Sequence, residues 1–366
     1  LLLFGKKKIK LISHIRNNIL NYLKFRQMKK TLCSFLTFFF IIVIVRAQND
    51  SIEPPKYSSN VWGNIFTAFY YVPGEKVMPD KGFELSTGLL GYRGQWGDKA
   101  SATLIYDVFR TTDRIQVLDS NNVPMNVIYG SRGSDYTGFL KMAQIDYNIN
   151  SWLSFSVGQL LNQQYLTYQD RFWGFRYIAF TFQEMNRFGA QADFGARFTI
   201  KPHKSLAITV GSVNGNGPFR TQGVDGNLQY FTNIEWTPVK EFIVKVFADH
   251  LPGNGLPHRN AYSFFSGYRT DNWRLGLEVN HVENHLNNSA NNLSGTSVYG
   301  AYKLAEGWHV LARHDYIKKS MALDKAHYLI GGFEYEPYKG FYTSLNYRYL
   351  SKDDISWVFA SFGTRF

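Results

Sequence analysis

The chain has 366 residues, a formal charge of +12, 17% aromatic content and a mean hydropathy of −0.26. Ten of its 40 basic residues and none of its 28 acidic ones lie within residues 1–47, which leaves 30 against 28 in the rest. A nearly neutral remainder removes the main support for nucleic-acid binding, which needs a basic face rather than a basic leader.

Residues 1–27 contain no methionine before Met28, and their Lys, Ile, Asn, Leu and Phe bias reads as upstream translation rather than native protein. Residues 28–47 read as a cleaved export signal. Met28-Lys29-Lys30 forms its positive start, Leu32 to Val45 its apolar stretch, and Val45-Arg46-Ala47 precedes a cut before Gln48. The single cysteine, Cys33, falls inside that stretch, so the exported chain is expected to hold no disulfide. Residues 48–60 are a polar lead.

From residue 61 to 366 apolar and polar residues alternate with period two. Phe194, Ala196, Phe198 and Ile200 share one face while Asp193, Gly195, Arg197 and Thr199 share the other. Trp273, Leu275, Leu277 and Val279 alternate in the same way with Arg274, Gly276, Glu278 and Asn280. Sixteen such segments are expected, near 62–71, 83–95, 100–111, 138–149, 152–161, 189–200, 205–214, 228–237, 241–250, 260–270, 273–283, 296–304, 307–316, 327–336, 340–350 and 355–366. About ten residues each is the length a tilted strand needs to cross an outer membrane. The expected fold is therefore all-β: a transmembrane, antiparallel, up-and-down barrel of about 16 strands.

The connections alternate in length. Turn-type residues such as Gly97-Asp98, Asn150-Ser151, Asp271-Asn272 and Pro337-Tyr338-Lys339 make one set tight, while 72–82, 112–137, 162–188, 215–227, 251–259, 284–295 and 317–326 are long. Residues 351–354 are the short exception. The pattern predicts a periplasmic end of turns and termini and an outward end of loops.

A charge facing mid-bilayer costs about 2–4 kcal/mol for Arg or Lys, so the charged faces should line the lumen. Asp193, Arg197, Glu235, Lys245, Arg274, Glu278, Arg313 and Arg348 are the expected lining residues, with Asp146, Asp249, Asp315 and Glu334. Small residues on the same faces (Ser156, Gly158, Gly195, Gly211, Gly276, Ser344 and Gly363) predict a water-filled rather than a packed interior. Trp152, Trp236, Trp273, Trp308, Tyr316, Tyr335, Tyr349 and Trp357 read as interfacial girdles in outer-membrane lipid. The last segment places Phe362 and Phe366 on one apolar face, a pattern expected to engage barrel-insertion machinery.

The runs Asp170-Arg171-Phe172-Trp173-Gly174-Phe175-Arg176-Tyr177-Ile178, Thr181-Phe182-Gln183-Glu184 and Asn186-Arg187-Phe188-Gly189-Ala190-Gln191-Ala192-Asp193-Phe194-Gly195 resemble a porin family of the Bacteroidetes. That family is distantly similar to the phosphate-selective porins O and P. Ser266-Gly267-Tyr268-Arg269-Thr270-Asp271-Asn272-Trp273-Arg274-Leu275-Gly276 is similar as well. The resemblance implies a water-filled channel for passive diffusion of small hydrophilic solutes or ions, often as a homotrimer. Phosphate specificity does not carry over, because no clustered lysine ladder is present.

In general porins the third outward loop folds into the barrel, and here that loop is residues 162–188. Its aromatic content favours burial against the inner wall. Asp170, Arg171, Phe172, Trp173, Arg176, Glu184 and Arg187 are the expected constriction residues, with Arg171, Arg176 and Arg187 presenting positive charge to the opening. The alternative is an external cap or a subunit contact. Mixed wall charges argue against a strong anion preference.

Catalytic signals are poor. His281-Val282-Glu283-Asn284-His285 lacks the His-Glu-x-x-His spacing of a helical zinc site, and no Gly-x-Ser-x-Gly element accompanies a histidine. No enzyme, metal or cofactor is expected. The reading that competes with a diffusion channel is an adhesin or assembly component whose barrel only holds external loops.

Overall fold

The computed structural model describes residues 56–366, apart from 76–78, 111–114, 119–123, 128–135, 224, 254, 290 and 321–323. The segments 1–27 and 28–47, and the lead as far as residue 55, lie outside the described residues. β1 (Tyr57–Tyr71), β2 (Lys81–Trp96) and β3 (Ala100–Arg110) are followed by a separate hairpin of β4 (Ile115–Leu118) and β5 (Pro124–Val127). β6 (Tyr136–Asn148) and β7 (Leu153–Leu161) precede two short helices, α1 (Tyr168–Trp173) and α2 (Phe182–Met185). Then come β8 (Ala192–His203), β9 (Leu206–Val213), β10 (Gln229–Val239), β11 (Phe242–Leu251) and β12 (Arg259–Arg269). β13 (Trp273–Glu283), β14 (Leu293–Ala305), β15 (Trp308–Lys319), β16 (Asp324–Tyr338), β17 (Phe341–Leu350) and β18 (Ile355–Arg365) complete the chain.

Setting the β4–β5 hairpin aside, the other sixteen strands form one closed barrel in which each pairs antiparallel with its sequence neighbour. β1 closes it against β18, with registers running from Asn64 opposite Arg365 to Tyr71 opposite Val358. Closure leaves no free sheet edge, so every strand carries a ladder on both sides without a disulfide. The tight connections fall at one end, with residues 351–354 between β17 and β18 the short exception at the other. Gly307 and Gly340 sit there at φ 73° and 86°, the left-handed conformation their turns demand. At another turn, Asn150 Oδ1 accepts from the backbone N–H groups of Trp152 and Leu153 at 3.0 and 2.8 Å. The opposite end carries the long connections.

Alternation decides which residues face in. Leu275, Leu277 and Val279 are exposed on the outside of β13, while Gly276, Glu278 and Asn280 face a filled interior. The outer surface at the tight-turn end carries a ring of exposed indoles: Trp96, Trp152, Trp236, Trp273 and Trp308. Trp273 packs on Tyr302 and Trp308 stacks on Tyr335, each with ring centroids 4.5 Å apart. Trp357 departs from the expected girdle. It shares the inward side of β18 with Phe359 and Ser361, opposite Arg348.

Candidate functional site

The interior is occupied by residues 162–191, the connection between β7 and β8. Two turns make this segment compact. Gly174, at φ 71°, ends α1 and returns its N–H to the Asp170 carbonyl. Thr181 caps α2 by accepting from the Glu184 N–H at 3.4 Å. The aromatic side chains that result pack partly on one another, as Trp173 does on Phe175 at 5.4 Å and Phe182 on Phe188 at 5.2 Å, and partly on the barrel wall. Trp173 meets Tyr299 of β14 edge-on at 5.3 Å, and Phe172 meets Phe265 of β12 edge-on at 5.4 Å. Tyr177 stacks on Tyr342, the second residue of β17, at 5.6 Å. The Trp173 carbonyl accepts from Arg274, the second residue of β13. The loop therefore enters at the long-loop end, descends almost to the tight-turn end along the β11–β18 wall, and returns.

Wall glycines make room for it. A Cβ added at Gly267 would stand 2.5 Å from the Phe172 ring, and one at Gly363 would stand 2.9 Å from Tyr177 Cβ. At Gly295 it would collide with the Phe182 ring. These are sockets for loop aromatics, which corrects the expectation that inward glycines such as Gly276 and Gly363 mean open water. Gly276 is itself covered by the Tyr299 ring. Gly267→Val is expected to cost about 1–3 kcal/mol through overpacking. Faster hydrogen exchange confined to residues 168–182, with the strands unchanged, is the measurement that checks it.

Cations from the wall then grip the loop by its backbone. Lys245 Nζ donates to the carbonyls of Gln163 (2.5 Å) and Gln164 (3.0 Å), to Thr167 Oγ1 (2.6 Å) and to Gln169 Oε1 (2.8 Å). Arg313 donates to the Phe180 carbonyl at 2.6 Å and Arg348 to that of Ile178 at 2.5 Å. Arg274 reaches Trp173 O at 3.1 Å, Arg259 reaches Phe188 O at 2.9 Å, and Arg365 approaches Gly174 O at 3.4 Å. Hydrogen bonds from charged donors contribute about 1.5–3 kcal/mol each. Arg313 and Arg274 also lie over the Trp173 and Phe175 rings at 5.0 and 4.8 Å. Lys245, Arg274, Arg313 and Arg348 do face inward, but toward the loop rather than toward open water. Glu278 is likewise covered, receiving Gln183 Nε2 at 3.0 Å.

Inside the loop, Arg176 is held by two carboxylates. Its Nη1 lies 2.9 Å from Asp170 Oδ1 and 2.6 Å from Glu184 Oε2, and its Nη2 lies 2.7 Å from Glu184 Oε1. Burial works against the guanidinium charge, but the two carboxylates more than offset it, so its pKa stands above the ordinary arginine value. Arg176 thus presents no free charge to an opening, contrary to the sequence expectation; its charge is spent on closing the loop. Arg171 and Arg187 remain exposed, with Arg171 lying 5.8 Å over the Tyr168 ring.

The β6–β10 side of the interior is organised differently. Arg197 donates to Gln144 Oε1 at 3.1 Å and Leu161 O at 3.3 Å, and Glu235 accepts from Asn233 at 3.0 Å. Asp193 accepts the Gly217 N–H at 3.1 Å, anchoring the β9–β10 connection. Polar side chains here bond chiefly to one another, and Arg171, Arg197 and Glu235 keep solvent contact. Phe362 and Phe366 are exposed on the outer face, and the Phe366 carbonyl accepts from Gly63 N–H at 2.8 Å. Among the described residues no group of three or more His, Cys, Asp or Glu could hold a metal ion. No described helix is long and apolar enough to cross a membrane.

Sequence reasoning missed the glycine sockets and the clamping role of Arg259 and Arg365. Period two marks a residue as inward but says nothing of what stands opposite it.

No family model and no curated protein matches this chain. Solved structures do. OmpF of Salmonella typhi, determined with daunomycin, is 10% identical with a TM-score of 0.61, over 84% of this chain and 97% of that one. An anion-selective porin from Comamonas acidovorans is 11% identical with a TM-score of 0.58, over 85% and 100%. OmpT, an outer membrane protein of Vibrio cholerae in its trimer form, is 10% identical with a TM-score of 0.56, over 85% and 99%. Identities this low carry likeness of fold.

Proposed function

We propose that the chain is an outer-membrane channel for passive diffusion of small hydrophilic solutes, with residues 162–191 as its constriction. The observation that carries this reading is a closed barrel, apolar outside and polar inside, whose long loop docks within. The outward residues of the sixteen strands form an apolar surface far larger than a soluble protein exposes, above a ring of indoles suited to a lipid interface. The loop narrows the interior from the β11–β18 side. It leaves Arg171, Arg197 and Glu235 as the groups that meet a passing solute. Mixed charge there favours size selection over strong ion selection.

Export through residues 28–47, insertion guided by the terminal strand with Phe362 and Phe366, and a homotrimeric assembly belong to the same proposal. The porin likenesses support it at the level of fold, and one of those relatives is described as a trimer. Purified protein in planar bilayers should give stepwise, ohmic conductance with weak ion selectivity. A silent bilayer with correctly folded protein would reject the channel and favour a barrel that only displays loops.

A further inference from the structure

The docked loop leaves a cavity of about 860 Å³ at the long-loop end, bordered by the β7–β8, β9–β10 and β13–β14 connections. That size lies within the range of small-molecule sites, roughly 300–1,000 Å³. Its polar groups are unequally used. Asn186, Asn287 and Asn291 donate their Nδ2 groups to the carbonyls of Phe182 (2.9 Å), Pro257 (3.0 Å) and His285 (3.3 Å). Gln229 donates its Nε2 to Asp249 at 2.9 Å. In each case the amide oxygen makes no hydrogen bond among the described residues, so the lining offers acceptors.

The cations are left over in the opposite sense. Arg187, Arg220 and Lys319 border the cavity, and among the described residues none of their side chains has a hydrogen-bond or carboxylate partner. The two carboxylates in the lining are already committed, Glu184 to Arg176 and Asp193 to backbone N–H groups. Phe219, 60% exposed, packs 4.9 Å from Phe139 and precedes Arg220 in the lining.

A ligand matching these groups must donate hydroxyl hydrogens to the amide oxygens and carry an anionic group for the cations. Inorganic phosphate near neutral pH carries too few hydrogens to reach all four amide oxygens, and a neutral sugar leaves the three cations without a partner. We propose that this cavity binds a small anionic carbohydrate, a sugar acid or sugar phosphate, as the first stop of a solute entering the barrel. The idea deepens the channel reading by naming a solute class, and it rests on that reading only for the word entering.

Calorimetry on the purified full chain in detergent, with digalacturonate, cellobiose and inorganic phosphate as probes, tests it. Digalacturonate should bind about tenfold or more tighter than either of the others. Arg220→Gln with Lys319→Gln should weaken it toward the cellobiose value, with an unchanged protease-resistant barrel as the folding control. Phosphate binding as tightly as digalacturonate would mean a bare anion site and overturn the proposal. Equal cellobiose binding would mean a neutral sugar site and overturn it too, as would no binding by any probe. Bilayer recordings separate the two readings. Selective binding with a silent bilayer strikes only the channel, and a conducting channel without selective binding strikes only the carbohydrate.

Discussion

Arg176→Met is expected to release the loop from the barrel interior while the barrel itself stays folded. The substitution leaves Asp170 and Glu184 facing each other without the guanidinium that holds them 2.6–2.9 Å from its nitrogens. Glu184 is buried, with a side chain only 2% exposed, so little water can replace that partner. Removing one partner of a buried pair costs about 3–5 kcal/mol. At about 1.4 kcal/mol per tenfold, that lowers the docked population relative to the undocked one by about two to three and a half orders of magnitude. Trypsin supplies the readout, because Arg171 and Arg187 lie within the same loop. The wild-type loop should resist cleavage, and the variant should be cut there while the strands remain protected. Asp170→Asn and Glu184→Gln added to Arg176→Met should restore much of the resistance, since no buried charge is then left alone. A variant loop as resistant as wild type would show that the ion pair does not close it.

Replacing residues 165–188 with a short Gly/Ser linker is expected to raise single-channel conductance by about twofold or more, because loop mass leaves the cross-section. The barrel should survive the exchange. Its wall under the loop is mixed: Ser263, Glu278, Asn280, Ser297, Asp315 and Asn346 are buried there beside Ile243, Phe265, Tyr299 and Leu311. Both amide atoms of Asn280 and the Ser297 hydroxyl find no partner among the described residues while the loop covers them. Water reaching that surface would satisfy them, offsetting part of what the docked aromatics contribute. Unchanged conductance in a correctly folded variant would place the narrowest point elsewhere. A collapse of the strand signal would show the loop to be a structural core rather than a constriction.

Much of the architecture was legible before any coordinates. Strict period-two alternation, turn residues at every second connection and strand lengths near ten are local properties, and they led to sixteen antiparallel strands and to the inward direction of Lys245, Arg274, Arg313 and Arg348. Even the third long connection was marked by its aromatic content as one that would bury itself. β1 starting at Tyr57, rather than at the edge of a polar lead, was less visible, because Ser58, Ser59 and Asn60 carry no apolar alternation.

Partnership was another matter. Arg176 meets Asp170 and Glu184 only because Gly174 and Thr181 turn the chain, and its free-charge reading failed for that reason. Gly267 and Phe172 lie 95 residues apart in numbering, and only closure of the barrel puts one against the other. The sequence by itself determined the barrel and the facing of its residues, since periodicity and turn chemistry act between near neighbours, and it offered the inward loop only as an expectation from position and aromatic content. Tertiary structure alone decided that the wall cations hold carbonyls instead of lining open water, and that Arg187, Arg220 and Lys319 find no partner among the described residues around one cavity. The physical reason is that a hydrogen-bond partner is set by distance in space, and alternation supplies direction without distance.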